Sequence, residues 1–107
     1  MKQKTVMLWI CCLSILASTA FARHPEPEPS YAKWGNMAVQ ETMKRYGFPI
    51  IDYLHVGRTY ISARKAEEKF KLWLRKPDGK EFGVYVTIRF DPVTDRVETI
   101  GFEETNR

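Results

Sequence analysis

Two segments in the second half of the chain alternate apolar and polar residues and predict a β-hairpin. They are residues 69–75 and 82–90, and Pro77-Asp78-Gly79 lies between them. Proline first and glycine last fits a type I turn closed by a left-handed residue. The register that follows makes one face of the hairpin apolar. It sets Lys76 opposite Lys80 and pairs Leu74 with Phe82, Leu72 with Val84, and Phe70 with Val86.

Residues 31–46 carry apolar side chains three and four apart and predict an amphipathic helix. Ser30 is the predicted N-cap, and Gly47 is predicted to end the helix in the left-handed conformation. Gly35 lies in the second turn, where glycine lowers helix stability. Its presence there predicts a close approach to a strand.

Two further strands are predicted at residues 48–59 and 96–103, with a turn at residues 91–95 before the last one. Val97 is separated from Ile100 and Phe102 by an odd number of positions, so a regular strand would place it on the opposite face of the sheet. A bulge or a left-handed Asp95 is required to bring all three to one face. Residues 59–68 fit a loop, a helical turn or an irregular strand extension equally well.

These elements predict an α+β fold in which one N-terminal helix packs on a four-stranded antiparallel sheet. Residues 31–104 then form a single domain. Its predicted core lies between Trp34 and the inward side chains of the hairpin, Leu72, Leu74, Val84, Val86 and Ile88.

The first 22 residues have the pattern of a cleavable secretory signal peptide. Lys2 and Lys4 precede an apolar stretch at residues 6–17, and Ala20 and Ala22 supply the small residues of a cleavage site. The apolar stretch is shorter than the roughly 20 residues that span a bilayer. Cleavage after Ala22 predicts a secreted protein, extracellular or associated with the cell wall. Residues 23–30 alternate proline with acidic residues and predict an extended tether.

Removal of the signal peptide changes the inventory of reactive and charged groups. Cys11 and Cys12 leave with it, so the remaining domain has no disulfide. The 17 basic side chains fall to 15 when Lys2 and Lys4 are removed, against 13 acidic ones, which leaves a net charge of +2. So balanced a charge argues against nucleic-acid binding.

The outward face of the hairpin is the candidate binding surface. It combines basic and aromatic side chains on rigid strands, and Lys71 is expected opposite Tyr85, with Trp73 over Gly83. This pattern indicates a platform for an anionic wall polymer, a peptide or a partner protein. The alternative is a solvated face on which long basic side chains cover two aromatic rings. The candidate residues are Lys69, Lys71, Trp73, Arg75, Tyr85, Thr87 and Arg89.

The sequence predicts no catalytic residues, metal site or cofactor. The two histidines, His24 and His55, have no carboxylates at metal-ligand spacing. The acidic residues are interpreted as solvated charge or turn chemistry. A nucleophile formed by Ser62 and His55 lacks any supporting local motif. The acidic pairs are Glu67 with Glu68, Glu103 with Glu104, and Asp91 with Asp95.

Three segments resemble a known family. Residues 31–35 (YAKWG), 80–88 (KEFGVYVTI) and 90–92 (FDP) resemble the small secreted proteins of Bacillus-type bacteria grouped as domain of unknown function 3889. The resemblance covers about residues 31–104. The helix-plus-sheet pattern is also similar to propeptide-and-YpeB-type envelope modules and, more distantly, to cystatins, whose Gln-x-Val-x-Gly loop this chain lacks. Such folds imply binding or inhibition more often than catalysis.

These observations together favour a secreted, non-catalytic binding or regulatory module of the cell envelope. One alternative is a small hydrolase or lyase that uses carboxylates and His55. The other is a structural envelope protein that self-associates through its sheet edges or the same outward face.

Overall fold

A computed structural model describes residues 28–107 as one helix followed by four strands. The helix α1 spans Ala32–Tyr46, and the strands are β1 Ile50–Ser62, β2 Lys65–Arg75, β3 Glu81–Phe90 and β4 Val97–Thr105. All neighbouring strands are antiparallel, and the order β1-β2-β3-β4 makes β1 and β4 the edges. The predicted α+β fold is therefore confirmed.

The predicted signal peptide (residues 1–22), His24 and the first five residues of the predicted tether lie outside the described residues. Within residues 28–107 no helix has the length and apolar character needed to cross a membrane.

The central hairpin has the predicted register. The backbone N–H of Lys76 donates to the carbonyl of Lys80 at 2.8 Å, and Gly79 has a φ of 88°. The residue pairs on the inner face are also those predicted from the turn, because turn length and apolar alternation demand the same pairing. They are Leu74 with Phe82, Leu72 with Val84, and Phe70 with Val86.

The core lies between α1 and the inner faces of β2 and β3. The inward side chains of these two strands, with the predicted core residues among them, are buried. Trp34 stacks on Phe90 with 4.2 Å between ring centroids. At the other end of α1, Tyr46 meets the edges of Phe82 and Phe102. Aromatic contacts thus fix both ends of the helix on the sheet.

The two helix ends differ in how well they were predicted. Gly47 is left-handed, with a φ of 72°, and its N–H donates to the carbonyl of Met43 at 2.9 Å, as expected. The prediction that Ser30 caps the N-terminus is wrong. Tyr31 is the N-cap and makes no side-chain cap hydrogen bond. The carbonyl of Pro29 accepts from the N–H of Ala32 at 3.0 Å, so the backbone itself satisfies a donor that Ser30 was expected to pair.

The predicted close approach at Gly35 is confirmed. A Cβ atom there would lie 2.1 Å from the Tyr53 hydroxyl oxygen and 3.3 Å from Cε1 of Phe70. Glycine is thus the residue that lets α1 lie directly on β1 and β2.

Residues 59–68, for which the sequence left three alternatives, are mostly strand. β1 continues to Ser62, residues 63 and 64 form a tight turn, and β2 begins at Lys65. The guanidinium of Arg64 donates from Nε (2.8 Å) and Nη2 (2.7 Å) to Asp91 Oδ2, which ties this turn to the one before β4.

Both features expected near Val97 as alternatives, a left-handed Asp95 and a bulge, are present where β3 pairs with β4. Asp95 is left-handed, with a φ of 62°. The register shifts between Arg89 and Phe90, and Val97 consequently pairs with Phe90. The extra residue restores Ile100 and Phe102 to the inner face, where they pack against the core.

Candidate binding surface

The seven predicted site residues all lie on β2 and β3, at positions that alternate with the buried core residues. They therefore share the outer face, the side of the sheet away from α1. Six of the seven are half-buried, and Arg75 alone is exposed. Strand pairing places Lys71 opposite Tyr85 and Trp73 opposite Gly83, as predicted.

Two lysines lie over the aromatic rings of this face. The Lys71 ammonium lies 5.6 Å from the centre of the Tyr85 ring and 5.5 Å from that of Trp73. The Lys69 ammonium lies 4.7 Å from the Tyr85 ring centre. These cation–π contacts give the centre of the outer face a continuous surface of aliphatic stems and rings.

Trp73 is held in one orientation. A Cβ atom on Gly83 would come within 2.9 Å of the indole Cζ3, so the ring covers bare backbone. The indole Nε1 donates to Glu81 Oε1 at 2.7 Å, and Arg75 Nε donates to Glu81 Oε2 at 2.9 Å. The hydrogen bond from Trp73, followed by that from Arg75, holds the pKa of Glu81 below its usual value. The Glu81 carboxylate therefore stays ionised and bound to the indole under mildly acidic conditions.

The outer face is less basic than the seven candidate residues alone indicate, because carboxylates neutralise or accompany its cations. Glu67 Oε2 accepts from Arg89 Nε at 3.0 Å, and Glu81 pairs with Arg75. The edge strands contribute Asp52 opposite Trp73 and Glu103 opposite Tyr85. The surface is therefore nearly balanced in charge.

A shallow pocket of about 180 Å³ opens beside Trp73. It lies where β1 meets β2, and β1 supplies Leu54, whose side chain is 58% exposed. Its lining combines apolar surface with one cation and one carboxylate. The lining residues are Asp52, Tyr53, Leu54, Lys71 and Trp73.

On the inner face, a second cluster of polar side chains surrounds Glu68. The prediction that Glu68 is solvated is wrong, because its side chain is fully buried. Arg58 donates to Oε1 from Nε at 2.7 Å, and His55 Nε2 lies 2.7 Å from Oε2. Both carboxylate oxygens are thus satisfied by side chains from β1, which is what makes the buried charge tolerable.

This cluster fastens the start of α1 to the sheet edge. The ring of Tyr31 stacks on the His55 imidazole, with 3.7 Å between centroids and 4° between planes. Burial raises the pKa of Tyr53 next to it, with further contributions from Tyr31 and Glu68. The arrangement is that of a structural anchor, because His55 and Arg58 both bind the buried carboxylate of Glu68.

Among the residues it describes, the structure does not bring together those considered for a nucleophile or a metal site. Ser62 and His55 pair with Lys65 and Phe70, which are five residues apart on β2, so they lie roughly 17 Å from each other at about 3.3 Å per residue. The Oγ of Ser62 accepts from the N–H of Arg64. Asp91 Oδ1 accepts from the N–H groups of Val93 and Thr94, which is turn chemistry, as predicted. In the part of the chain that the structure describes, no three His, Asp or Glu side chains are placed to share a metal ion.

Comparison with known proteins gives the chain a family. The family described as "Protein of unknown function (DUF3889)" matches residues 11–104. A Bacillus subtilis (strain 168) relative, described as "Uncharacterized protein YqzG", is 37% identical in an alignment 102 residues long; the match covers 89% of this chain and 92% of the relative. No solved structure is significantly similar, and the similarity to propeptide-and-YpeB-type modules stays a prediction. The chain belongs to the DUF3889 family.

Proposed function

We propose that this domain is a non-catalytic binding module of the cell envelope, and that its outer sheet face takes a protein partner. The signal-peptide pattern of residues 1–22 supports export. The observation that carries the proposal is the pocket between Leu54 and Trp73, set in a rigid, half-buried aromatic surface.

The size of the pocket favours a protein partner over a small molecule. At about 180 Å³ it is well below the roughly 300–1,000 Å³ of most small-molecule sites. Such a volume suits one apolar or aromatic side chain from a partner. Trp73 is already fixed by Gly83 and Glu81, so binding costs little further loss of side-chain freedom.

The charge of the outer face points the same way. Arg75 and Arg89 are paired with carboxylates, and Asp52 and Glu103 lie among the remaining cations. An anionic wall polymer would meet as many acidic groups as basic ones. A protein surface of mixed charge with one protruding apolar side chain is the better complement.

The cluster around His55 does not support the alternative of a hydrolase or lyase. Its carboxylate is fully buried and bound to Arg58, and the imidazole face is covered by Tyr31. A general acid or base needs to reach a substrate proton within hydrogen-bond distance. We therefore assign this cluster to stability.

Partner capture tests the proposal. The full chain, with a C-terminal tag, is expressed in Bacillus subtilis, crosslinked in cells and purified, and the captured proteins are identified by mass spectrometry. We expect a specific partner whose recovery falls about tenfold or more when Trp73→Ala and Tyr85→Ala are combined, because aromatic anchors carry most of the binding energy at interfaces.

A matched double variant controls for the loss of exposed apolar surface. Met43→Ala with Val93→Ala removes two exposed side chains away from the sheet face and should leave capture unchanged. Circular dichroism confirms that each variant is folded. Equal recovery from both double variants and the wild type, or no specific partner for the wild type, would overturn the proposal.

A further inference from the structure

The edge strand β1 carries most of the exposed apolar surface in residues 28–107. Eight large hydrophobic residues are exposed in this part of the chain. Six of the eight lie on β1, with exposures from 40% to 64%. An apolar edge strand is a liability that proteins usually cover or charge. The six are Ile51, Tyr53, Leu54, Val56, Tyr60 and Ile61.

Three of these side chains occupy irregularities in the pairing of β1 with β2. The register shifts between Ile50 and Asp52, between His55 and Gly57, and between Tyr60 and Ser62. At these three shifts the residues left out of the pairing are Ile51, Val56 and Ile61. Each is an aliphatic β-branched residue without a pairing partner on β2.

The spacing of the irregularities aligns these three residues. Residues five apart on a regular strand point to opposite faces of the sheet. Here each five-residue step contains one extra residue without a pairing partner, so residues five apart point the same way. Ile51, Val56 and Ile61 therefore occupy equivalent positions and form a row along the sheet edge, which we call the edge row.

The edge row is symmetric about its middle residue. A two-fold axis through Val56 brings Ile51 of one copy against Ile61 of another, and Val56 against its own counterpart. Such self-complementarity is the requirement for an interface between two identical chains. We propose that β1 is a homodimer interface in which two edge rows pack antiparallel through their side chains.

The exposed area is sufficient for a weak dimer. Leu54 belongs to the pocket on the outer face and is not counted. At roughly 100 Å² for each half-exposed large side chain, the other five residues offer about 500 Å² per copy and about 1,000 Å² for the pair, the least that a specific interface buries. The bulges interrupt a regular backbone ladder, so packing of side chains supplies the contact. We expect a dissociation constant in the micromolar range, because so small an interface leaves little surplus over the freedom lost on association.

The charges of β1 do not oppose this arrangement. Arg58 is already paired with the buried Glu68 of its own chain. Asp52 lies four residues from the axis, so the two copies of this carboxylate are about 26 Å apart at about 3.3 Å per residue, well beyond the screening length of about 8 Å in physiological salt.

Sedimentation equilibrium of the purified full chain tests the dimer. The wild type should change from monomer to dimer over the micromolar range. Val56→Lys places two ammonium groups together at the axis and should raise the dissociation constant by about tenfold or more. Val93→Lys makes the same change at an exposed position in the turn before β4 and should leave it unchanged.

A charge exchange tests the antiparallel register. Ile51→Glu and Ile61→Lys should each weaken the dimer, whereas the two combined in one chain should restore it, because each glutamate then meets a lysine of the other copy. Circular dichroism shows that the variants are folded. A wild type that stays monomeric at about 100 µM, a dimer indifferent to Val56→Lys, or a double variant without restoration overturns the proposal. None of these changes alters Trp73 or Tyr85, so this result is independent of partner capture.

Discussion

Replacing Glu68 by alanine should lower the free energy of unfolding by about 3 kcal/mol, the lower end of the range for breaking a buried ion pair. The side chain is fully buried and is the shared acceptor for Arg58 and His55. Its loss leaves a guanidinium and an imidazole without their carboxylate. The Arg58 side chain keeps 22% of its surface exposed and can turn partly toward water, which moderates the cost. Urea unfolding followed by circular dichroism measures the change.

Glu67 provides a matched control for this substitution. It is the preceding residue on β2 and faces the opposite side of the sheet, where it pairs with Arg89 near the surface. Glu67→Ala should cost no more than about 1 kcal/mol, as for other exposed ion pairs. Equal losses for the two variants would contradict the assignment of Glu68 as the anchor of β1 and α1.

Replacing Gly35 by alanine should destabilise the domain by up to about 2 kcal/mol. Alanine favours the helix by about 1 kcal/mol over glycine, but overpacking in a filled site costs about 1–3 kcal/mol. The new methyl group would meet the Tyr53 hydroxyl at 2.1 Å and the buried ring of Phe70 at 3.3 Å. The tyrosine can move away, whereas Phe70 is enclosed by the core. Thermal unfolding measures the effect.

Two comparisons isolate the close contact as the cause. Gly101→Ala on β4 meets no atom within 4 Å and should change stability by no more than about 0.5 kcal/mol. Tyr53→Ala in the Gly35→Ala background should recover part of the loss, which a double-mutant cycle reports as coupling between the two positions. An alanine at position 35 that stabilises the domain would show that α1 can move off the sheet.

The hairpin and its register could be predicted in full because two independent signals agree. The Pro77-Asp78-Gly79 turn sets the register, and the apolar alternation of both strands requires the same one. Gly47 was predictable for a similar reason, since the apolar spacing changes there from that of a helix to that of a strand. The parity of Val97 limited the last turn to a bulge or a left-handed Asp95, and the structure has both. Local chemistry and pattern were sufficient at these positions.

The connection from β1 to β2 could not be predicted because it lacks such chemistry. Residues 63 and 64 are alanine and arginine, neither of which favours a turn, and a long-range ion pair to Asp91 holds the second of them. The burial of Glu68 was hidden for a related reason. Its partners His55 and Arg58 share a face only because β1 carries an extra residue between them.

The members of the outer face were predictable, but its charge was not. Alternation along β2 and β3 identifies Trp73, Tyr85 and their neighbours. Glu67 and Glu81 of the hairpin itself pair with its arginines, which alternation alone does not show. The other two carboxylates, Asp52 and Glu103, come from β1 and β4, whose registers contain shifts that no local pattern reveals. The same shifts conceal the edge row in the sequence.

Site-specific photocrosslinking tests most directly whether the outer face binds a partner. Thr87 lies at its centre, between Lys69 on β2 and Gly101 on β4, and Val93 is an exposed position in the turn before β4. With p-benzoylphenylalanine placed at each in turn in the full chain in Bacillus subtilis, we expect irradiation to give an adduct with a second protein from position 87 and none from position 93. No adduct from position 87, or the same adducts from both positions, would contradict binding through the outer face.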